Sequence, residues 1–304
     1  MILKRLITFV FIFITAIFTL QAQKNGEFEE LIQYEDSLRD IAPEILNGFY
    51  DFNRYEASEK FYQTLTDALG LKNSYKYPFD SLKSISILRA PDNFFRIFTW
   101  NLMKADGSYD YFGLLQLNPK KTSNNEIYKL VNIQKKDRGA EYETHTAENW
   151  FGAHYYKMIK TKSKDQTYYT LLGWDGNNNI TTRKIIDVIV FNGSDEPEFG
   201  APVFQTHDNL KNRFIIEYGS HVSVSLKYEK QFVYHGKQKK WMIVFDRVSP
   251  LSPMLEGQYQ FYVPETDTYD AFIFENGVWQ FYQDVDARNP KGKKKNKDKD
   301  NKKE

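Results

Sequence analysis

The chain opens with an apolar run, Leu6–Leu20, flanked by Lys4-Arg5 on one side and Gln21-Ala22 on the other. Beyond it, polar and apolar positions take on regular periods. Phe28, Leu31, Ile32 and Leu38 follow helical spacing, and Ile41, Ile45 and Leu46 extend the stripe; Pro43 is expected to end or kink that helix. A second amphipathic helix is predicted from about Asn53 to Leu69, with Ala57, Phe61, Leu65 and Leu69 on one face and Gly70 as its stop.

From Leu82 onward the period shortens to that of strands. Short runs rich in Ile, Val, Phe, Tyr and Thr recur, each followed by turn residues. They are Ser84–Arg89, Phe94–Leu102, Tyr109–Leu117, Ile127–Gln134, Trp150–Lys160, Thr167–Trp174, Lys184–Phe191, Val203–Gln205, Phe214–Tyr218, Val222–Tyr228, Trp241–Val248, Tyr259–Val263, Tyr269–Phe274 and Val278–Tyr282. No helix-length segment separates them, so a mainly all-β, antiparallel meander of about fourteen strands is expected. Asp106-Gly107, Asp175-Gly176 and Asn276-Gly277 read as type I′ hairpin turns, whose two central residues need positive φ. Tyr109-Asp110-Tyr111-Phe112 and Tyr269-Asp270-Ala271-Phe272 form one internal echo. Groups of four short strands suit a propeller-like arrangement, with a two-sheet sandwich or a large barrel as the alternative.

The organisation that follows is a signal peptide over 1–22, a helical segment over 23–76, one β domain over 77–287 and a disordered Lys-rich tail over 288–304. The leader has a basic start, a 15-residue apolar stretch and a small residue, Ala22, at the cleavage point, which predicts export to the periplasm or beyond. An uncleaved anchor is the alternative. Several segments, Tyr77-Pro78-Phe79-Asp80-Ser81-Leu82, Phe95-Arg96-Ile97-Phe98-Thr99-Trp100, Leu171–Asn178 and Gly200-Ala201-Pro202-Val203-Phe204, resemble an uncharacterised family of exported bacterial proteins. That resemblance implies an exported all-β protein, with no activity and no catalytic residue to carry over.

Charge sharpens this picture. Residues 288–304 hold nine bases and three acids, whereas residues 23–287 hold 30 bases and 37 acids, so the folded body is acidic. A nucleic-acid partner is not expected, because its positive charge would sit on the fold. The tail is read as a solubilising end, its lysines interrupted by Asp298 and Asp300; together with the leader it is the only expected membrane contact. The chain has no cysteine, which removes disulfides and thiolate chemistry. No Gly-x-Ser-x-Gly, Walker A loop, Gly-x-Gly-x-x-Gly or His-Glu-x-x-His occurs.

The remaining candidates are weaker patterns. Asp175, Asn177 and Asn179 place oxygens at alternate positions, as the start of a Ca²⁺ loop does, but Ile180 and Ile186 stand where glycine and a bidentate Glu are wanted; no cofactor is expected, Ca²⁺ being the one exception this spacing raises. Glu141, Glu143 and His145 would share a strand face as a metal set, although their charged surroundings suit a solvated loop. Asp187 lies among Ile185, Ile186, Val188, Ile189 and Val190, on a strand apolar on both faces. A buried carboxylate needs a partner or a proton. A second acid, Glu217 or Asp246, would make a glycosidase-like pair; an arginine, Arg183, Arg213 or Arg247, would make a structural lock. Trp174, Asp175 and Asn177 form the expected ligand contact, since Tyr and Trp rings suit sugars and protein interfaces. Two functions therefore stand: a non-catalytic exported protein that binds a cell-envelope protein or glycan, or a carboxylate-dependent hydrolase centred on Asp187.

Overall fold

The computed structural model describes residues 28–122, 126–133, 138–164, 166–193, 195–207, 209–232 and 239–286. The expected leader and the Lys-rich tail lie outside the described residues. Among the described residues two helices come first, α1 over 28–47 and α2 over Asp51–Gly70. Leu31, Leu38, Ala42 and Ile45 are the buried stripe of α1, which runs on through Pro43 rather than ending there. Ile32 and Leu46, counted with that stripe by spacing, are exposed. In α2 the predicted face is the buried one, with Ser58 and Ala68 added to Ala57, Phe61, Leu65 and Leu69.

Among the described residues, sixteen strands follow in three sheets. The first is a meander of β1 (Ser86–Arg89), β2 (Phe95–Met103), β3 (Tyr109–Leu117) and β4 (Ile127–Val131). The second runs in the order β5-β9-β8-β7-β6, from β5 (His145–Thr146), β6 (His154–Ser163), β7 (Gln166–Asp175), β8 (Thr181–Val190) and β9 (Glu198–Phe199), with β12 (Phe214–Gly219) also paired to β8. The third runs in the order β11-β10-β16-β15-β14-β13, from β10 (Phe204–Gln205), β11 (Leu210–Lys211), β13 (Leu226–Phe232), β14 (Lys239–Pro250), β15 (Tyr262–Glu275) and β16 (Val278–Tyr282). The pairing is antiparallel except between β10 and β16. None of the three sheets closes, and the strand counts of four, six and six are not those of four-stranded blades; face-to-face stacking of the sandwich kind is what they are compatible with. Of Tyr259–Val263, expected as a strand, Tyr259–Phe261 is a 3-10 turn and only Tyr262 and Val263 are strand; they belong with Tyr269–Phe274, expected as a separate strand, to the long β15, while Trp150 lies in a loop before β6.

The alternation of side chains explains the stacking. On β2 and β3, Ile97, Tyr111 and Leu115 meet Leu171, Ile185 and Ile189 of the second sheet, while Phe98, Trp100 and Leu114 meet the helices. On β7 and β8 the other parity, Leu172, Ile186, Val188 and Val190, meets Ile243, Phe245, Phe272 and Trp279 of the third sheet. The order is thus helices, first sheet, second sheet, third sheet. Strand β8, apolar on both faces in sequence, lies in the sheet covered on both sides.

Each fully buried tryptophan finds an acceptor for its indole N–H, as burial demands. Trp100 donates to Ser58 Oγ of α2 at 3.0 Å, Trp150 to Tyr155 Oη at 3.1 Å, and Trp279 to Thr170 Oγ1 of the second sheet at 2.9 Å. The first and third of these bonds cross between layers.

The hairpin turns differ in kind. Asn276 and Gly277 both have positive φ, 53° and 88°, as a type I′ turn requires. At Asp106-Gly107 only Gly107 is positive, at 81°, and Gly107 N–H bonds Lys104 O while Lys104 N–H bonds Ser108 O. That is a type I turn closed by a left-handed residue, not type I′. A Cβ on Gly107 would lie 1.8 Å from Asn179 Oδ1, so both backbone and neighbour demand glycine there. At Asp175-Gly176 the left-handed residue is Asn177, one position later, in a longer loop.

Candidate functional site

Strand β12 pairs with β8 so that Glu217 faces Arg183 and Phe214 faces Ile186. Continuing that register sets Arg213 opposite Asp187. The side chains obey it: Arg213 Nη2 lies 3.0 Å from Asp187 Oδ1, and Arg183 Nε donates to Glu217 Oε2 at 3.0 Å. One strand carries Arg then Asp, the other Arg then Glu, four residues apart in each. Antiparallel pairing turns that into two opposite-charge pairs on one face.

Asp187 and Arg213 are both fully buried. Asp187 Oδ1 also accepts Val188 N–H at 2.9 Å, and Oδ2 accepts Tyr155 Oη–H at 2.8 Å. Arg213 donates to Ala140 O at 2.8 Å and lies over the Phe151 ring at 4.8 Å. Of the partners named for Asp187, the arginine is the one present. Glu217 belongs to the Arg183 pair, and Asp246 sits on β14, accepting Ser225 N–H at 2.7 Å. Asp187 therefore lines no open cleft in which it could face a second carboxylate and a substrate.

The Asp175 turn lies at the other end of the same face. Asp175 is buried; its Oδ1 accepts Asn177 N–H at 2.9 Å and its Oδ2 lies 3.6 Å from Arg183 Nη1. Asn177 donates to Thr181 Oγ1 at 2.6 Å, and Thr181 donates to Glu217 Oε1 at 2.7 Å. Asn179 reaches away to donate to Asp106 O at 2.9 Å. The three side chains proposed for a cation thus address three different partners. Trp174 is half-buried, its ring edge-on to Tyr109 at 5.3 Å, so it is less open than its place beside a turn suggested.

Glu141, Glu143 and His145 do not share a strand face. Glu141 is in a 3-10 turn, Arg138–Tyr142; its Oε1 accepts Ile215 N–H at 3.0 Å and its Oε2 accepts Lys211 Nζ at 2.9 Å, which pins β11 and β12. Glu143 is solvent-facing, with Oε2 3.7 Å from Nε2 of the buried His145. Among the described residues, no group of three or more His, Asp or Glu is arranged to hold a metal ion.

His145 has a consequence for acid stability. Burial and then Arg213 lower its pKa, against Asp187, Glu143 and the Asn149 backbone, which raise it. The fold thus holds the imidazole neutral, whereas the unfolded chain takes up a proton near 6.5. This contribution to stability is complete above that value and is lost as pH falls below it. His154, lowered by burial, adds in the same direction. Urea unfolding midpoints should therefore drop between pH 7.5 and 5.5, and less steeply in His145→Gln than in the native chain. Equal slopes in the two would remove the account.

Sequence reasoning missed the turn between α1 and α2. There Phe49, Tyr50 and Phe52 are 82%, 65% and 70% exposed, beside Met103 at 47%. Tyr50 stands at the N-cap of α2 and makes no capping bond, at a position where Ser, Thr, Asp or Asn is preferred. The turn is nonetheless held from below. Arg54 donates to Gly48 O at 2.7 Å and to Met103 O at 2.5 Å, Asp51 accepts Ala105 N–H at 2.9 Å, and Tyr55 bonds Asp110. Three aromatic rings are thus presented to solvent on a backbone clamped to the β2–β3 hairpin. The signal was in the sequence as Phe49-Tyr50-Asp51-Phe52, off both helical stripes.

Comparison of the chain with protein-family models, with curated proteins and with solved structures finds no match.

Proposed function

We propose that this chain is an exported, non-catalytic β-protein that binds a protein or glycan of the cell envelope, and that the Phe49–Phe52 turn is its contact surface. The observation that carries the reading is the exposure of three rings on a turn fixed by four polar clamps. Exposed apolar groups cost little singly, but a contiguous cluster marks a contact surface. Rings already held in place lose little freedom on binding, and Tyr and Phe are over-used at interface centres. Export rests on the leader and on the resemblance described above. The hydrolase reading has lost the open carboxylate pair that motivated it, since Asp187 is sealed against Arg213.

The test is cosedimentation of the full chain with envelope fragments of the producing cell. Phe49→Ser/Phe52→Ser should lower the bound fraction at least tenfold with an unchanged melting temperature, about the effect of losing two interface aromatics. Undiminished binding by this variant would sink the assignment of the surface.

A further inference from the structure

At its C-terminal end α2 runs into a second feature, about 30 Å from the aromatic turn by helix rise. The chain turns at Asn73, in left-handed conformation with φ 64°, and makes one 3-10 turn, Ser74–Lys76. Between this turn, the end of β1 and the turn after β3 lies a cavity of about 420 Å³, within the range of small-ligand sites. Lys72, Lys76, Arg89 and Lys120 line it, and none of the lining residues is acidic. Four cationic side chains thus line one cavity of a body that is acidic overall. An anion placed among them meets favourable charge from several sides.

The wall of the cavity is built, not incidental. Arg89 donates through Nη2 to Tyr75 O at 2.8 Å and through Nη1 to Asn93 Oδ1 at 3.1 Å, and its guanidinium lies 4.5 Å over the Tyr75 ring. Arg89 is exposed, whereas Asn118 is buried; Asn118 donates to Asn93 O at 2.7 Å and accepts Lys120 N–H at 3.1 Å. Below them is Arg96, fully buried, whose hydrogen bonds go to Gln116 Oε1, Tyr77 O and Ser74 O and, among the described residues, to no carboxylate. Its positive charge adds to that of the wall. Burial, and then the neighbouring Arg89, push the Arg96 guanidinium down to about 9.

We propose that this cavity binds a phosphate group, carried by a small ligand or by a lipid headgroup, between Arg89 and the three lysines. A phosphate group, with several oxygens to share, matches several cations better than a carboxylate does, and the N–H groups of Arg89 not given to Asn93 and Tyr75 suit phosphate oxygens.

Two probes test this with the full chain at low salt: pyrophosphate by calorimetry, and phosphatidylglycerol–phosphatidylcholine vesicles by cosedimentation. Saturable binding of either is expected, weakened at least tenfold in Lys72→Glu/Lys120→Glu. Arg89→Lys, which keeps the charge but removes the fork, should weaken it to a lesser extent. Lys227→Glu/Lys230→Glu, the same charge change on exposed positions of β13, should leave it intact. Binding of pyrophosphate without a variant-sensitive vesicle signal assigns a small phosphate-bearing ligand, and a variant-sensitive vesicle signal assigns a headgroup. Absence of saturable binding to both probes, or equal loss in the β13 variant, overturns the proposal.

Discussion

Asp187→Ala should lower the unfolding free energy by about 3–5 kcal/mol, the usual cost of stranding one member of a buried ion pair. Arg213 is then left inside the protein with Ala140 O and the Phe151 ring but no counter-charge, and Tyr155 loses its acceptor. Arg213→Met should cost a similar amount, because it strands the carboxylate instead. The informative variant is the double one, Asp187→Leu/Arg213→Met. Replacing both partners by apolar groups removes two desolvation penalties as well as the attraction, so the double variant should be far more stable than the sum of the single losses implies. Urea unfolding of the native chain, Asp187→Leu, Arg213→Met and the double variant closes this cycle. Strict additivity would show that the pair is not the unit described here. The same cycle bears on function, since a catalytic Asp187 would lose activity in the double variant whatever its stability.

Arg96→Met should be comparably damaging, by about 3–5 kcal/mol, through a different route. Arg96 and Gln116 are a cross-strand pair of β2 and β3. Arg96 donates to Ser74 O and Tyr77 O, while Gln116 donates to Leu69 O and to Ser74 Oγ. Helix α2 has no basic residue in its last turn. This buried pair from the first sheet therefore satisfies carbonyls at and beyond the helix end. With methionine at 96, three acceptors lose a charged donor, each unsatisfied group costing about 1–3 kcal/mol, offset in part by the apolar side chain. Amide exchange should localise the loss to residues 69–77. Arg96→Lys should rescue little, because one ammonium cannot span acceptors spread around a planar fork. Protection of that segment equal to the native chain's would refute the account.

Much of the element order was legible because it rests on local periods. Tyr109–Leu117 and Val278–Tyr282 were read to the residue, and the buried face of α2 was read from i, i+4 spacing. The two-residue strands β5, β9 and β11 were not, because two positions carry no alternation. Nor was the β15 pairing across Thr266-Asp267-Thr268, where Asp267 has φ 55° and the partner strand is irregular between Asp246 and Val248; locally this reads as a turn. The burial of Asp187 was legible from the apolar residues around it. Its partner was not, because Arg183, Arg213 and Arg247 are indistinguishable until the register of β8 and β12 is known. The basic cavity was hidden for a similar reason: Lys72, Arg89 and Lys120 come from the turn after α2, the end of β1 and the turn after β3, and nothing in their spacing brings them together.

The middle position of the second sheet bears on how the chain can be cut. Its strands lie between 145 and 219, yet one of its faces is covered by residues before that stretch and the other by residues after it. No single break divides the polypeptide into two fragments that each keep their oily surfaces dry. A reporter or affinity handle therefore belongs outside residues 28–286, and truncation into those residues from either side is expected to release the whole assembly rather than a trimmed remnant.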